Sequence, residues 1–161
     1  IRARGISIGS NENIYQTAKS TEVGSGAIQV IYNRIDRAPE KEVFPSCIEQ
    51  DLGVLARVPL ASGYLSGKYK PGTTFTDDTD VRSRHDAERV QERLKEVEQI
   101  QREEVPEGVP MAAWALAWCL QHPAVTCVIP GCKTVAQVES NASAADLTGL
   151  VRDDHPQAVT V

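Results

Sequence analysis

The chain has 161 residues, of which 41% are hydrophobic and 24% are charged, and its formal net charge is −5 at pH 7. This length is typical of one domain, and the composition excludes a disordered or fibrous chain. The acidic balance argues against a nucleic-acid partner, because phosphate binding needs lysine and arginine clustered on a basic domain. The longest uncharged apolar run, at 111–120, is far shorter than the roughly 20 residues that a membrane span requires.

The cysteines and the first residues bear on metal binding, disulfide formation and cellular location. The sequence contains four cysteines with no CxxC pair and no Cys/His ligand spacing, namely Cys47, Cys119, Cys127 and Cys132. This pattern predicts neither a metal site nor a disulfide framework. Because the sequence shows no signal peptide, the expected location is the reducing cytoplasm. The first residue is Ile1, and residues 3–8 are typical of the end of a strand, so we expect the sequence to start within a fold.

Predicted strands alternate with predicted helices along the chain. The strands are short apolar runs at 3–8, 27–32, 52–58 and 125–129. Their near-continuous apolar character is typical of parallel strands that are covered on both faces. The helices are predicted at 11–19, 40–50, 87–105, 111–121 and 135–145. The third is amphipathic, whereas the fourth is apolar almost all round and is expected to be buried.

This order of elements predicts an α/β fold with a parallel sheet. The strand–helix unit recurs about four times, interrupted by an insertion at 61–86. An open doubly wound sheet and part of a (β/α)8 TIM barrel both fit the order. A complete barrel takes about 250 residues, so four units make about half of one. We expect one folded unit over residues 1–146 and a polar C-terminal extension over 147–161.

Two predicted strand ends carry residues suited to an anionic ligand. Small residues at 58–63 allow backbone N–H groups to approach an anion, and Lys68 adds a positive charge. Residues 129–134 leave a strand and open a helix, whose N-terminus and nearby lysine favour phosphate. Gln137 and Asn141 lie one turn apart on that helix and share a face. Each segment alone is better explained as a turn, but their common place at strand C-terminal ends favours a ligand site.

These segments resemble the aldo-keto reductase family. The resemblance runs in order from about Arg2 to Asn141 and rests on residues 5–8, 28–33, 53–63, 67–69, 115–118 and 128–131, with Gln137 and Asn141. It implies a (β/α)8 barrel that binds NADP(H) in extended form and transfers hydride to or from a carbonyl. It also implies that residues 1–146 are strands five to eight with their helices, the cofactor-binding half of an enzyme that reduces aldehydes or ketones to alcohols.

The resemblance also implies which residues bind the cofactor. The nicotinamide carboxamide would be held by Ser7 and Gln29. The pyrophosphate would be lined by Val58, Pro59, Leu60, Ala61, Ser62 and Lys68. The adenosine end would be held by Gly131, Lys133, Gln137 and Asn141, and Lys133 beside a 2′-phosphate favours NADP over NAD. The loop at 73–85 would close over the cofactor through Arg82 or Arg84.

Some positions depart from the family pattern. Many members carry Asn, a nicotinamide-stacking aromatic and an adenine-binding Glu at the positions of Ile8, Arg57 and Ser140. The family's catalytic Asp, Tyr, Lys and His come from the first half of the barrel, so we assign no catalytic residue in this sequence. The candidates for a substitute acid are better explained by packing or surface exposure, namely Tyr32, Tyr64 and His85.

Two other functions stay open. One is a non-catalytic NADP(H)-binding sensor. The other is a half-barrel assembly module that pairs with itself or with a separate N-terminal half, since an open half exposes strand edges and its inner face. The partners implied by the main interpretation are the nicotinamide cofactor and a small carbonyl substrate, which the sequence does not name.

Overall fold

A computed structural model describes residues 1–11 and 14–150 of the chain, apart from the side chains of residues 148 and 150. It contains four strands, β1 (Gly5–Ser7), β2 (Ala27–Ile31), β3 (Gly53–Arg57) and β4 (Cys127–Ile129). All neighbouring strands are parallel, in the spatial order β1-β2-β3-β4. The predicted α/β fold with a parallel sheet is therefore confirmed.

Five α-helices accompany these strands in the described residues. They are α1 (Ile14–Ala18), α2 (Val43–Glu49), α3 (Ala87–Glu103), α4 (Met111–Gln121) and α5 (Val135–Ala142). Short 3₁₀ turns lie at Thr21–Val23, Ala38–Glu40, Ala61–Ser66, Val81–Arg84 and Ser143–Leu150. The predicted extension at 147–161 begins in the last of these turns, and its residues 151–161 lie outside the described part.

Local chemistry explains where the helices begin. The carboxylate of Asp86 accepts hydrogen bonds from the backbone N–H groups of Glu88 and Arg89, which caps α3. The predicted helix at 40–50 starts later, at Val43, because Pro45 has no N–H and fits only in a first turn. The predicted strand at 125–129 also starts later, because Val125 N–H donates to the carbonyl of His122 in a turn.

The core lies on one face of the sheet. Strand side chains such as Ile28, Val30 and Val54 are fully buried there against helix residues that include Phe44 and Trp118. As predicted, α4 is buried almost all round, since eight of its eleven residues, from Met111 to Cys119 without Ala112, are buried. As predicted, α3 buries one stripe, made of Val90, Leu94, Val97 and Ile100.

The other face of the sheet, called the open face below, is only half-buried or exposed. The register places Ser7, Gln29, Leu55 and Cys127 in one row on this face. The expectation that both faces are covered was therefore wrong for the described chain, because every fully buried strand side chain points to the helix side. Helices on one face and strands in sequential order also argue against a doubly wound sheet, which carries helices on both faces.

Candidate functional site

The candidate site lies at the C-terminal ends of the four strands. Ser7 ends β1, and Gln29 lies opposite it on β2. The Gln29 Nε2 atom donates to Ser7 Oγ at 3.2 Å, so the structure brings these two predicted residues together on the open face. The Gln29 Oε1 atom has no hydrogen-bond partner among the described residues, which leaves a carbonyl acceptor for an amide ligand.

The loop after β3 adopts an unusual backbone. Val58, Ala61 and Ser62 have φ angles of 55°, 48° and 55°, in the left-handed region that L-residues with side chains avoid. For the β-branched Val58 this conformation is a true outlier. Strained residues of this kind persist only where the surroundings impose them, and they cluster at ligand sites.

The surroundings of this loop do impose its shape. The buried Asn33 donates from Nδ2 to the Val58 carbonyl at 3.1 Å, and its Oδ1 accepts from the N–H groups of Ile35 and Asp36. Inside the loop, Ala61 N–H donates to the Val58 carbonyl, at 2.9 Å. Asn33 thus fixes the loops after β2 and β3 to each other.

The six residues predicted to line a pyrophosphate differ in exposure. Pro59 and Ala61 are buried and Val58 and Leu60 are half-buried, whereas Ser62 and Lys68 are exposed. Neither Ser62 Oγ nor Lys68 Nζ has a partner in the described part of the chain. The exposed members are therefore the ones that carry a hydrogen-bond donor or a charge.

Arg82 is the anchor of the loop at 73–85. Its guanidinium binds the Asp80 carboxylate through Nε and Nη2, donates to Tyr69 Oη at 3.0 Å and lies over the rings of Tyr69 and Phe75. The hydrogen bonds from Arg82 lower the pKa of Asp80 from 3.8 to about 2. Between the two predicted alternatives, Arg82 is half-buried in these contacts and Arg84 is exposed.

The segment at 130–134 is held by the helix that follows it. Thr134 caps α5, with its Oγ1 accepting from Gln137 N–H at 3.2 Å. Gln137 Oε1 accepts from Lys133 N–H at 2.7 Å, and Asn141 Nδ2 contacts Cys132 Sγ at 3.1 Å. Each of the two amide side chains predicted to bind a ligand therefore uses one of its polar atoms in a hydrogen bond to the loop. Gln137 Nε2 and Asn141 Oδ1 have no partner in residues 1–11 and 14–150.

Gly131 and Lys133 face open space. A Cβ placed on Gly131 would meet no atom within 4 Å, so the protein alone leaves room for a ligand there. Lys133 is exposed, and its positive charge contributes to the low pKa of Asp80. The loops at 73–85 and 130–134 are therefore close enough to interact electrostatically.

Two features went unnoticed in the sequence. The Nε atom of Arg57, at the end of β3, is buried and has no hydrogen-bond partner among the described residues. Tyr64 Oη lies 3.2 Å from His85 Nδ1, with the two rings stacked. Burial raises the pKa of Tyr64, which makes it a weaker proton donor. Neither feature has a sequence signal, because the burial of one side-chain atom and a contact between residues 21 positions apart both depend on the tertiary fold.

The described residues contain neither a metal-binding cluster nor a membrane-spanning helix. Across residues 1–11 and 14–150, no three or more His, Cys, Asp or Glu side chains are grouped so as to hold a metal ion. No helix in the described part combines the length and apolarity needed to cross a bilayer.

Comparison with known proteins identifies the family. The profile of the Aldo/keto reductase family matches residues 1–159. The chain belongs to this family. The parallel α/β sheet and the left-handed loop at its edge are thus parts of an aldo/keto reductase fold, and the resemblance found in the sequence is confirmed.

Several relatives are similar to this aldo/keto reductase chain. A probable voltage-gated potassium channel subunit beta from Arabidopsis thaliana is 31% identical over an alignment of 146 residues that covers 85% of this chain and 44% of the relative. The aldo-keto reductase yakc [NADP(+)] from Schizosaccharomyces pombe is 30% identical over an alignment of 150 residues that covers 89% of this chain and 43% of the relative.

A solved structure shows the same fold. The holo form of aldo-keto reductase AKR11C1 from Bacillus halodurans superimposes with a TM-score of 0.65 and 26% identity, covering 98% of this chain and 52% of that one. The chain therefore spans about half the length of the relatives it matches.

Proposed function

We propose that this chain is the NADP(H)-binding half of an aldo/keto reductase, corresponding to strands five to eight of the (β/α)8 barrel. The intact enzyme reduces aldehydes or ketones to alcohols by hydride transfer. Residues 1–146 form the cofactor-binding part, and a cytoplasmic location goes with this function. The family and the parallel sheet support the proposal, and the extent of the match, about half of each relative, supports the half-barrel.

The observation that carries the proposal is the left-handed loop after β3. Three residues with side chains have positive φ angles. Such strained conformations cost energy and are found mainly at ligand-binding and active sites, where the loop shape is needed. The loop lies at the C-terminal edge of a parallel sheet, which is where α/β folds bind their ligands. Ser62 and Lys68 supply donors for a pyrophosphate at this loop.

The remaining residues fit the other parts of a nicotinamide dinucleotide. Gln29 and Ser7 would hold the carboxamide, since Gln29 Oε1 is without a partner in the described residues. The half-buried Arg57 side chain, whose Nε atom has no partner among the described residues, would lie flat against the nicotinamide ring, because arginine stacks on aromatic faces. When bound, the cofactor supplies the hydride; this chain orients it.

The adenosine end decides between NADP and NAD. Gly131 leaves room for it, and Gln137 Nε2 and Asn141 Oδ1 would hydrogen-bond its base. The exposed Lys133 would pair with a 2′-phosphate, which NADP has and NAD lacks. Arg82 would complete the enclosure by holding its loop over the pyrophosphate.

The acid that protonates the carbonyl would come from the other half of the barrel. Tyr64 is buried, and its raised pKa makes it a poor substitute. The open face and the unpaired edges of β1 and β4 are the surfaces on which an N-terminal half would complete the barrel. The partners of the chain are therefore the cofactor, a small carbonyl substrate and that half.

A second function rests on the same open face. A half-barrel that binds NADP(H) without chemistry, as a sensor or as a module that pairs with its own copy, would use the same cofactor residues and the same edges. The relative named as a probable voltage-gated potassium channel subunit beta supports this alternative, because its name describes a subunit of an assembly. Turnover of NADPH with an aldehyde by the chain combined with an N-terminal half-barrel that carries the catalytic residues separates the two, because a sensor or module would bind the cofactor and stay inactive in that assembly.

Titration with NADPH and NADH tests the proposal, with NADPH fluorescence and calorimetry as readouts. Lys133→Ala should weaken NADPH binding about tenfold, the effect of losing one charge-assisted hydrogen bond, and leave NADH unchanged. Lys95→Ala, an exposed lysine in the middle of α3, is the matched control. Equal losses for the two cofactors would reject the role of Lys133, and no saturable binding of either would reject the proposed function.

A further inference from the structure

A cavity of about 260 Å³ lies at the C-terminal edge of the sheet, between the loop after β3 and the first turns of α3. Its apolar floor is Ile31 and the loop residues Val58 and Ala61. Six polar or charged side chains complete its lining: Asp36, Ser62, Tyr64, His85, Arg89 and Arg93. A water takes about 30 Å³ in the liquid, so this volume holds several waters or one small polyatomic ion.

The charge of the lining is positive. Arg89 and Arg93 lie one turn apart on α3 and present two guanidinium groups on the same face. Asp36 is the one acidic residue among the lining residues. With His85 neutral the lining carries a formal charge of +1, and the N-terminal end of α3 adds a partial positive charge.

Arg89 and Arg93 have few hydrogen-bond acceptors or ion-pair partners within the described part of the protein. Arg93 Nη1 lies 3.5 Å from Asp36 Oδ2, at the limit of a hydrogen bond. The Asp36 carboxylate also accepts from Asn33 Nδ2 at 3.3 Å. The Arg89 guanidinium has no hydrogen-bond or ion-pair partner within the described residues. The donors of these two side chains thus exceed the acceptors available to them.

Tyr64 and His85 line the same cavity as the two arginines and add hydrogen-bonding groups to it. Tyr64 is fully buried, with its hydroxyl 3.2 Å from His85 Nδ1. Burial raises the pKa of Tyr64, and the charge of Asp80 acts in the same direction, while the charges of Arg82, Arg93 and Arg89 lower it. Asp80 offsets Arg82 by pairing with it, so the excess positive charge near this hydroxyl comes from Arg89 and Arg93 and favours negative charge in the cavity.

We propose that this cavity binds a small oxyanion, a carboxylate or a phosphate, held by Arg89 and Arg93 with Tyr64 and His85 as further donors. Arginine guanidinium groups match the planar or tetrahedral oxygens of such anions and form charge-assisted hydrogen bonds with them. The anion comes from one of two sources, a free ion or the anionic end of a carbonyl substrate. None of these four donors is among the proposed cofactor residues, although the cavity shares Val58, Ala61 and Ser62 with the loop proposed for the pyrophosphate.

The test is a calorimetric and NMR titration of the full 161-residue chain with inorganic phosphate, with glyoxylate and with the neutral propionaldehyde. Arg89→Gln removes an exposed guanidinium, and Arg93→Gln removes the half-buried one. Arg102→Gln, at the exposed end of the same helix and beside Glu103, is the matched control. Far-UV circular dichroism and thermal unfolding establish that each variant keeps the parental fold.

We expect phosphate or glyoxylate to bind saturably, propionaldehyde not to bind, and each cavity variant to lose about tenfold in affinity while Arg102→Gln loses none. Tighter binding of glyoxylate than of phosphate assigns the cavity to a substrate carboxylate, and the reverse assigns it to a free phosphate. Absence of anion binding, or equal binding by the parent and both cavity variants, would overturn the proposal. The proposal would also be overturned if NADP+ displaced phosphate and if Arg93→Gln weakened the affinity for NADP+ as much as the affinity for phosphate. The cavity would then belong to the cofactor phosphates.

Discussion

The substitution Ser62→Gly should stabilise this protein, although a substitution by glycine usually lowers the free energy of unfolding. Ser62 is exposed and has φ 55° and ψ 29°. The left-handed conformation costs a residue with a side chain about 1–2 kcal/mol, and glycine is free of that cost. The additional freedom of glycine in the unfolded chain costs about 0.5–1 kcal/mol. The free energy of unfolding of Ser62→Gly should therefore rise by about 0.5–1 kcal/mol.

Ser143→Gly is the matched control for this change. Ser143 is also an exposed serine, but its φ is −66°, and its Oγ donates to the Ser140 carbonyl at 2.9 Å. Here glycine brings its conformational cost and also removes that exposed hydrogen bond, so the free energy of unfolding should fall by at least about 0.5–1 kcal/mol. Urea unfolding followed by circular dichroism measures both, and the midpoint of thermal unfolding should move up by about 1–4 °C for the first variant. A loss of stability in Ser62→Gly equal to that in Ser143→Gly would refute the strain in this loop.

The same position links strain to cofactor binding. Ser62→Ala removes the hydroxyl but keeps a side chain in the left-handed region, whereas Ser62→Gly also loosens the backbone. If the rigid loop presents its N–H groups to a pyrophosphate, NADPH affinity should fall further in Ser62→Gly than in Ser62→Ala. Equal affinities of the two variants would mean that the strain serves the fold and not the ligand.

Two further changes test the loop at 73–85 and the core. The pKa of Asp80 is lowered from 3.8 to about 2 by Arg82, so its contribution to stability is complete above about pH 4 and is lost as the pH falls through 2. The difference in thermal midpoint between the parent and Asp80→Asn should narrow below pH 4 and close near pH 2; a difference independent of pH would contradict this. Leu94→Ala, at a fully buried position of α3, should lower the free energy of unfolding by about 2–5 kcal/mol, and the neighbouring exposed Lys95→Ala by no more than about 0.5 kcal/mol. Urea unfolding measures both, and similar losses would show that α3 does not pack through the stripe described.

The elements that could be predicted are those whose pattern is local. The bounds of α4 match the prediction at both ends, because residues 111–120 form an uncharged apolar run and prolines lie on both sides of the helix, at 110 and 123. The stripe of α3 also follows from spacing alone. The start of α2 was missed by three residues, since Pro45 restricts the helix in a way that apolar content does not show.

The site was predicted in part. Sequence spacing pointed to the ends of β3 and β4, and Ser7 and Gln29 entered through the family resemblance. The structure adds that Gln137 and Asn141 each use one atom to hold the segment at 130–134. Spacing along a helix gives the shared face of two side chains, but it does not give their hydrogen-bond partners, which depend on the path of the loop before the helix.

The sequence by itself determined the type and order of the elements, because hydrophobic periodicity and helix-stopping residues act over a few neighbours along the chain. It also determined the family, through motifs spread over most of its length. Only the tertiary structure decided which face of the sheet is open, that Val58, Ala61 and Ser62 hold left-handed backbones, and that Arg89 and Arg93 meet Tyr64 and His85 around one cavity. These features arise from contacts between segments distant in sequence, and a backbone conformation that costs energy locally is fixed only by the packing and hydrogen bonds that surround it.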